Sequence, residues 1–389
     1  MNLEELKKIP TLIRWSKYKI GYPVRIDLAI TNNCNLSCCF CKQGIYQKIH
    51  TNELTKEELL STINQGYEFG VFNWNIVGEG EPLVKADTTL EVMSLIKKYG
   101  MMGNLTTNGT LFNEKIVSKF IDVGWDCINF SIDSGEAAMH DNLRGKKGAF
   151  QRAKKSMILF STLKKTRRKQ KPDIIIHSIL HNQNYNKLNE LVDLAHEINA
   201  SRLDFTHILP LTIYTKKLEL NKEQLIEFNK NIPIVLDYAH QKKVLTNLND
   251  YKIEVNEITI HHSSENKKDN KKSMNWLFSV HCYNPWVSMI VLANGLVGPC
   301  CRYTDEKCMG NIRTNNLADI WFGKIFNDYR KNMIDHRLYC INDCPSTEVI
   351  RNKKLQEELI KICSMNLFIK YKRTISSHIQ EKINNFINF

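Results

Sequence analysis

Cys34, Cys38 and Cys41 lie four and three residues apart in the stretch Thr31-Asn32-Asn33-Cys34-Asn35-Leu36-Ser37-Cys38-Cys39-Phe40-Cys41. The same spacing marks one face of a helix, so three small side chains packed on a core is the plain alternative. Asn32, Asn33, Asn35 and Ser37 argue against it, because their side chains favour turns over helix interiors. A structural zinc takes four ligands, usually in two close pairs. Three thiols in one short loop suit instead a [4Fe–4S] cubane with one iron lacking a protein ligand, the open position of a catalytic metal. Cys39 is the odd member, expected to point away as a small hydrophobe.

A second group lies far along the chain. Apolar runs on either side of Asn294-Gly295 signal a hairpin that brings Cys282 and Cys300 together at its open end. Cys301 and Cys308 follow, then a helical pattern near 317–329, then Cys340 and Cys344. Four thiolates here could hold zinc or a further iron–sulfur cluster, and the residues alone leave both open. Twelve cysteines would be a disulfide framework in a small secreted protein. The chain opens acidic, without a signal peptide, and no apolar stretch is long enough to cross a bilayer. A cytoplasmic location is expected, with metal or redox work for the cysteines. Cys127 and Cys363 read as packing residues.

The elements that must position these groups alternate along 24–210. Strands are expected at 25–30, 74–77, 103–106, 127–132, 173–180 and 202–205, with amphipathic helices between them. Thr55 followed by Glu57 and Glu58 opens one helix, and Gly100 and Gly124 close two others. Such alternation predicts an α/β fold with a parallel sheet and a ligand site at the strand ends. The expected organisation is a helical extension over 1–23, the strand–helix domain over 24–210 and a helical, charged connector over 211–275. A small cysteine-bearing domain follows over 276–348, then a basic helical tail over 349–389 in which Ile375, Ile379, Ile383 and Phe386 share a face. Lys and Arg number 54 against 41 Asp and Glu, a net +13. The excess is partly in runs at 164–171 and 267–272, read as solvated loops.

Beyond the spacing, the C-x3-C-x-aromatic-C loop after a first strand resembles that of the radical S-adenosylmethionine (SAM) superfamily, with Cys34, Cys38, Phe40 and Cys41 in place. Gly78-Glu79-Gly80-Glu81-Pro82 is similar to its Gly-Gly-Glu-Pro element, departing from it in Glu79. Thr106-Thr107-Asn108-Gly109 ends the third strand as the family's Thr-Asn-Gly does. Phe130-Ser131-Ile132-Asp133 ends the fourth, shortly before His140 to Gly145. The resemblance implies a partial (β/α)6 TIM-like barrel whose [4Fe–4S] cluster is held by Cys34, Cys38 and Cys41 and chelated by SAM. It also implies cofactor contacts from Phe40, Gly78, Gly80, Glu81, Pro82, Thr107, Asn108, Ser131 and Arg144, with Ser131 on the ribose and Arg144 on the SAM carboxylate. The pattern C-x12-G-x4-C from Cys282, with Gly310-Asn311-Ile312, resembles the auxiliary-cluster extension called SPASM or its shorter twitch form. That likeness implies one auxiliary [4Fe–4S] cluster on Cys282, Cys300, Cys340 and Cys344.

The implied activity is reductive cleavage of SAM to a 5′-deoxyadenosyl radical that abstracts hydrogen from a substrate, with an external one-electron donor such as flavodoxin or ferredoxin. The auxiliary cluster would accept an electron or anchor the substrate. The main expectation is an oxidoreductase-type change on a small polar metabolite such as a sugar or aminocyclitol. Modification of a ribosomal peptide or protein is the first alternative and RNA modification the second. No recognisable RNA-binding module supports nucleic acid as the partner. Candidate bases are His177, His181, His207 and Asp204, all near the ends of the fifth and sixth strands.

Overall fold

The computed structural model describes residues 3–41, 52–210, 212–251, 276–278, 280–300, 308–335, 337, 344 and 346–364. Cys301, Cys340, the basic run at 267–272 and the tail positions Ile375 to Phe386 lie outside these residues, as does the side chain of Cys363.

Helix α1 (Leu3–Tyr18) precedes six parallel strands with covering helices. These are β1 (Arg25–Leu28), α2 (Lys56–Glu68), β2 (Asn73–Ile76), α3 (Ala86–Lys98), β3 (Met102–Thr107), α4 (Glu114–Asp122) and β4 (Cys127–Ser131). They continue with α5 (Ala137–Arg144), α6 (Ala149–Thr166), β5 (Asp173–Leu180), α7 (Leu188–Glu197) and β6 (Arg202–His207). Seven strand ends, on five of the strands, differ by a residue or two from expectation, and β1 stops at Leu28, with the Ala29 amide donating to Val291 O at 2.9 Å. Helix α2 starts on the full capping box of Thr55 and Glu58. The basic run at 164–171 lies at the α6 to β5 connection, where Arg167 pairs with Asp122.

One face of the sheet is packed by helices through Ile76, Leu105, Ile128, Phe130, Ile176 and Phe205, all fully buried. Alternate positions on the same strands, such as Asn104, Asn129, Ser131 and His177, face the other, inner side and keep partial solvent access. The sheet is open. Its order is β6-β5-β4-β3-β2-β1-β7-β8-β9, so it continues past β1 into the second cysteine unit. There β7 (Ser288–Val291) runs parallel to β1, with Arg25 opposite Ser288. The expected hairpin follows as β8 (Leu296–Gly298), and β9 (Gly310–Asn311) pairs antiparallel beside it. The sheet therefore runs through the boundary expected near 210.

Helix α8 (Lys222–Gln241) occupies part of the expected connector, and residues 245–251 cover the β6 edge, where Leu203 N donates to Leu245 O at 2.8 Å. The single helix expected over 317–329 is two, α9 (Leu317–Phe322) and α10 (Lys324–Ile334), broken at Gly323 in extended conformation. Arg330 on α10 is buried among Trp15, Trp321 and Phe326, 4.2 Å from the latter two rings, and donates to Pro285 O and Trp321 O. Trp15 Nε1 bonds Trp286 O at 3.0 Å, so α1 is packed on the second unit as well as on the sheet. Helix α11 (Ser346–Ser364) returns to the floor of the inner face, where Glu348 takes a bond from Asn284 and pairs with Arg351.

Candidate active site

The loop bearing Cys34, Cys38 and Cys41 leaves the C-terminal end of β1 and is held from three sides. Glu53 Oε1 accepts from Thr31 Oγ1 at 2.8 Å and from Asn32 N at 2.7 Å, while its other oxygen pairs with Lys85 at 2.6 Å. From the β2 end, Glu81 N donates to Asn33 O at 2.9 Å. A Cβ on Gly80 would stand 2.2 Å from that same carbonyl, so the close approach of two protein backbones is what requires glycine here. The third support is α5. Ser37 N donates to Arg144 O and Cys39 N to Leu143 O, and a Cβ on Gly145 would lie 2.3 Å from Ser37 O.

Asn108, at the end of β3, ties these parts together. Its Oδ1 accepts from Thr110 N and Oγ1, and its Nδ2 donates to Asn35 Oδ1 at 2.9 Å while lying 4.0 Å from Cys34 Sγ. Arg144 performs the matching task at Cys38, with Nη1 at 3.9 Å from its sulfur and the guanidinium 5.2 Å from the Phe40 ring centroid. Asp133, just past β4 and fully buried, holds Arg144 through a 2.7 Å ion pair and accepts from Ile179 N. Burial raises the Asp133 carboxyl, but the adjacent Arg144, His140 and the Ile179 amide outweigh it and hold it below the usual range. Burial also pushes the Cys38 thiol up to about 11 against the pull of Arg144, and raises Cys34.

Other expected cofactor contacts have side chains bonded within the protein. Both Glu81 oxygens are filled, by Thr107 Oγ1 at 2.8 Å and Leu83 N on one and by Asn108 N at 2.7 Å on the other. Glu81 and Thr107 thereby lock the β2 loop to the end of β3, leaving backbone groups as what this element can offer a ligand. Pro82 opens a short 3-10 turn, with its carbonyl accepting from Thr89. Gly78 sits at φ 137. Ser131 lies on the inner face, with its hydroxyl unbonded to any described residue. Cys39 is exposed, contrary to the expected packing role, because α5 holds its backbone at the loop's outer side.

The four candidate bases separate. His181 is buried, its Nδ1 accepting from Gln183 N. His207 is enclosed by Tyr251 and Phe228, and burial lowers it to about 4. Asp204 pairs with Arg202 at 2.8 Å. His177 stands on the inner face between Ser131 and Asp204, with Nε2 at 2.9 Å from Thr206 Oγ1, and burial lowers its ring below the usual histidine value.

Sequence reasoning missed Glu53, whose only local signal is its place before the Thr55 cap. It also left Glu79 as a departure without a purpose. Glu79 is buried, and its Oε2 accepts from Ala293 N, at the tip of the β7–β8 hairpin, at 2.8 Å. Leu54 N donates to Ala293 O at 2.6 Å, and Arg313 joins Glu58, Glu53 O and Asn294 O in one cluster. Before the hairpin Cys282 is buried, and past it Cys300, Cys308 and Cys344 are half-buried. The β8–β9 register, with Val297 opposite Gly310, brings the unassigned Cys308 near the end of β8 that leads to Cys300.

Among the described residues no group of three His, Cys, Asp or Glu side chains could hold a single metal ion. A cubane gives each iron its own thiolate, so its ligands need no common point. The donor set fits that group: three soft sulfur ligands in one loop, with Cys41 within electrostatic reach of Cys34 and Cys38, and N–H donors aimed at two of the sulfurs.

Comparison with known proteins agrees with this geometry. Residues 28–195 match the radical SAM superfamily model, and residues 282–345 match SPASM, an iron–sulfur cluster-binding domain. PqqA peptide cyclase of Methylocella silvestris is 24% identical over 332 residues, 80% of this chain and 78% of that protein. AdoMet-dependent heme synthase of Methanosarcina barkeri is 29% identical over 188 residues, 48% of this chain and 51% of that one. In structure, Streptococcus suis SuiB bound to precursor peptide SuiA superposes with a TM-score of 0.61 at 18% identity, over 84% of this chain and 71% of SuiB. Both matched units and the shared fold make this chain a member of the radical SAM superfamily with a C-terminal SPASM domain, an enzyme whose cofactors are SAM, the [4Fe–4S] cluster that binds it and an auxiliary [4Fe–4S] cluster.

Proposed function

We propose that this enzyme modifies a peptide or protein by abstracting a hydrogen atom from one of its residues. The observation that carries the reading is the extent of the similarity to PqqA peptide cyclase, which reaches across both units and covers 80% of the chain. The expectation of a small polar metabolite gives way on this point. When bound, the cluster and SAM supply one-electron chemistry able to take a hydrogen atom from an unactivated carbon.

The residues divide the work. Cys34, Cys38 and Cys41 hold the first cluster, and Cys282, Cys300, Cys340 and Cys344 the auxiliary one. Asn108 and Arg144 steady two of the sulfurs, and the Arg144 guanidinium, fixed by Asp133, keeps its Nε–H edge available to a carboxylate. Ser131 offers a free hydroxyl to the ribose. His177 is the group placed to receive a proton on the inner face. The starting electron comes from a separate flavodoxin- or ferredoxin-type protein.

The test is anaerobic. Reconstituted protein, SAM and reductant are incubated with peptide, small-molecule and RNA fractions of the source cell, and 5′-deoxyadenosine is followed by mass spectrometry. Stimulation by the peptide fraction, abolished when Cys34, Cys38 and Cys41 become Ala, supports the reading, and the mass change of the responding peptide names the modification. Stimulation by the small-molecule fraction alone overturns it.

A further inference from the structure

From β1 to β4 the inner face of the sheet is largely polar, bordered by Cys127 opposite Asn104 and Ile175 opposite Asn129, and its internal bonding spares a particular subset of groups. Strand register sets Asp27, Asn75 and Asn104 in one row, Thr106 beside Asn129 in the next, and Ser131 beside His177 above them. The charged members are neutralised within the protein. Arg25 pairs with Asp27 at 2.9 Å and Glu4 at 3.1 Å, and Arg202 pairs with Asp204 at 2.8 Å. Arg351, close enough to influence His177, pairs with Glu348 at 2.9 Å. Asn75 gives its amide to Asp27 Oδ1 at 3.1 Å.

Four side chains remain. Asn104, Thr106, Asn129 and Ser131 make no side-chain hydrogen bond to any described residue, although each is half-buried. Partly buried amides left without partners carry a desolvation cost that a ligand or water must relieve. Every one of the four is neutral. A phosphate or carboxylate ligand would meet no spare cation in these rows, and an ammonium would meet no spare carboxylate. A neutral ligand with alternating donors and acceptors fits. An Asn amide sets an N–H and a C=O side by side, which complements the C=O and N–H of a peptide bond.

We propose that Asn104 and Asn129, diagonal neighbours on β3 and β4, form a docking rung for the main chain of a peptide segment, flanked by the Thr106 hydroxyl, while Ser131 above them is left to the ribose. The floor is closed by the charged groups of α1 and α11, so the segment enters from the strand ends that carry the cysteine loop. This assignment rests on the peptide reading and adds what the site recognises: backbone amides rather than a charged side chain.

Equilibrium dialysis under anaerobic conditions tests it, using the cluster-loaded protein with SAM. The probes are acetyl-triglycine methylamide, its analogue with the central amide replaced by an ester, and glucosamine. The blocked tripeptide is retained, the ester less so and glucosamine not at all. The isosteric N104D and N129D changes, which remove the amide donor, weaken tripeptide retention about tenfold, the scale of one lost hydrogen bond. N104S and N129S do the same without adding charge. Iron content, circular dichroism and SAM retention stay constant in all four, which separates recognition from folding. Unchanged tripeptide retention in the variants removes the asparagines from the site and leaves the peptide reading standing. Failure of the unsubstituted protein to retain the tripeptide overturns the rung, and retention of glucosamine in its place overturns the peptide reading as well.

Discussion

The amide of Ala293 donates to Glu79 Oε2 at 2.8 Å, joining residues 214 positions apart. Glu79 belongs to the β2 loop beside the first cysteine loop, and Ala293 to the hairpin that leads to Cys300. A buried carboxylate thus fixes one cysteine-bearing unit against the other. Glu79→Ala removes a hydrogen bond to a charged group and strands the Ala293 amide, at a cost of about 1.5–3 kcal/mol. The urea midpoint falls accordingly, and auxiliary iron is lost before the iron of the first loop. Glu79→Gln, which can still accept, falls by less.

Gly80→Ala tests the meeting of the two loops. Its Cβ would lie 2.2 Å from Asn33 O, and backbone cannot yield as a flexible side chain does. Overpacking of this kind costs about 1–3 kcal/mol, and the cysteine loop is the part that moves. Circular dichroism keeps its native shape while iron bound per chain after reconstitution drops. Native iron content in the variant would show that the loop does not depend on this contact.

Removing Arg144 leaves Asp133 buried without its ion-pair partner. Breaking such a pair costs about 3–5 kcal/mol. The Asp133 carboxyl is held below its ordinary 3.8, so its contribution is complete above that pH and is lost as pH falls through the depressed value. In Arg144→Met the buried carboxyl rises instead, so the folded chain takes up that proton before the unfolded one, and chemical unfolding followed from pH 8 to pH 3 shows this group's acid-side loss replaced by a relative gain.

His207 carries a proton balance of the same sign, at a higher pH. Burial lowers its ring from 6.5 to about 4, so between those values the unfolded chain takes a proton that the folded chain refuses. Its contribution is full above 6.5 and declines as pH falls, by about 2 kcal/mol at pH 5. His207→Phe reduces the pH dependence of stability in this window, as read from urea midpoints at pH 8 and pH 5, and leaves 5′-deoxyadenosine formation in place.

His177→Gln separates radical generation from the later proton transfer. SAM cleavage continues, because the ring touches Thr206 rather than the cysteine loop. Product falls by about 10²-fold or more if the imidazole accepts a proton from the substrate, and the ratio of 5′-deoxyadenosine to product rises. An unchanged ratio would discard the role.

The six strands of the first unit announce themselves in the sequence through apolar runs between amphipathic helices, and the cysteine spacing with its Asn-rich surroundings marks the loop. Asn294-Gly295 places the hairpin. Pairing at a distance is not legible: nothing near Arg25 or Ser288 says that they are neighbours in one sheet. Glu79 and Glu53 are hidden for the same reason, since each carboxylate has partners contributed by distant segments. Thr107 and Glu81 resemble ligand contacts because their motif is local, whereas their hydroxyl and carboxylate are turned on each other. Cys39 departs from its local pattern because α5, which fixes its backbone, comes more than a hundred residues later.

The parallel pairing of β7 with β1 bears on how the gene can be cut. A fragment ending near residue 210 retains every motif of the first unit, yet it leaves β1 with a bare row of amides and carbonyls along one side. Such a border is a template for the same border of another molecule. The truncated piece is therefore expected to precipitate or pair with itself, and the smaller unit cannot be transplanted alone, because its first strand has nowhere to lie.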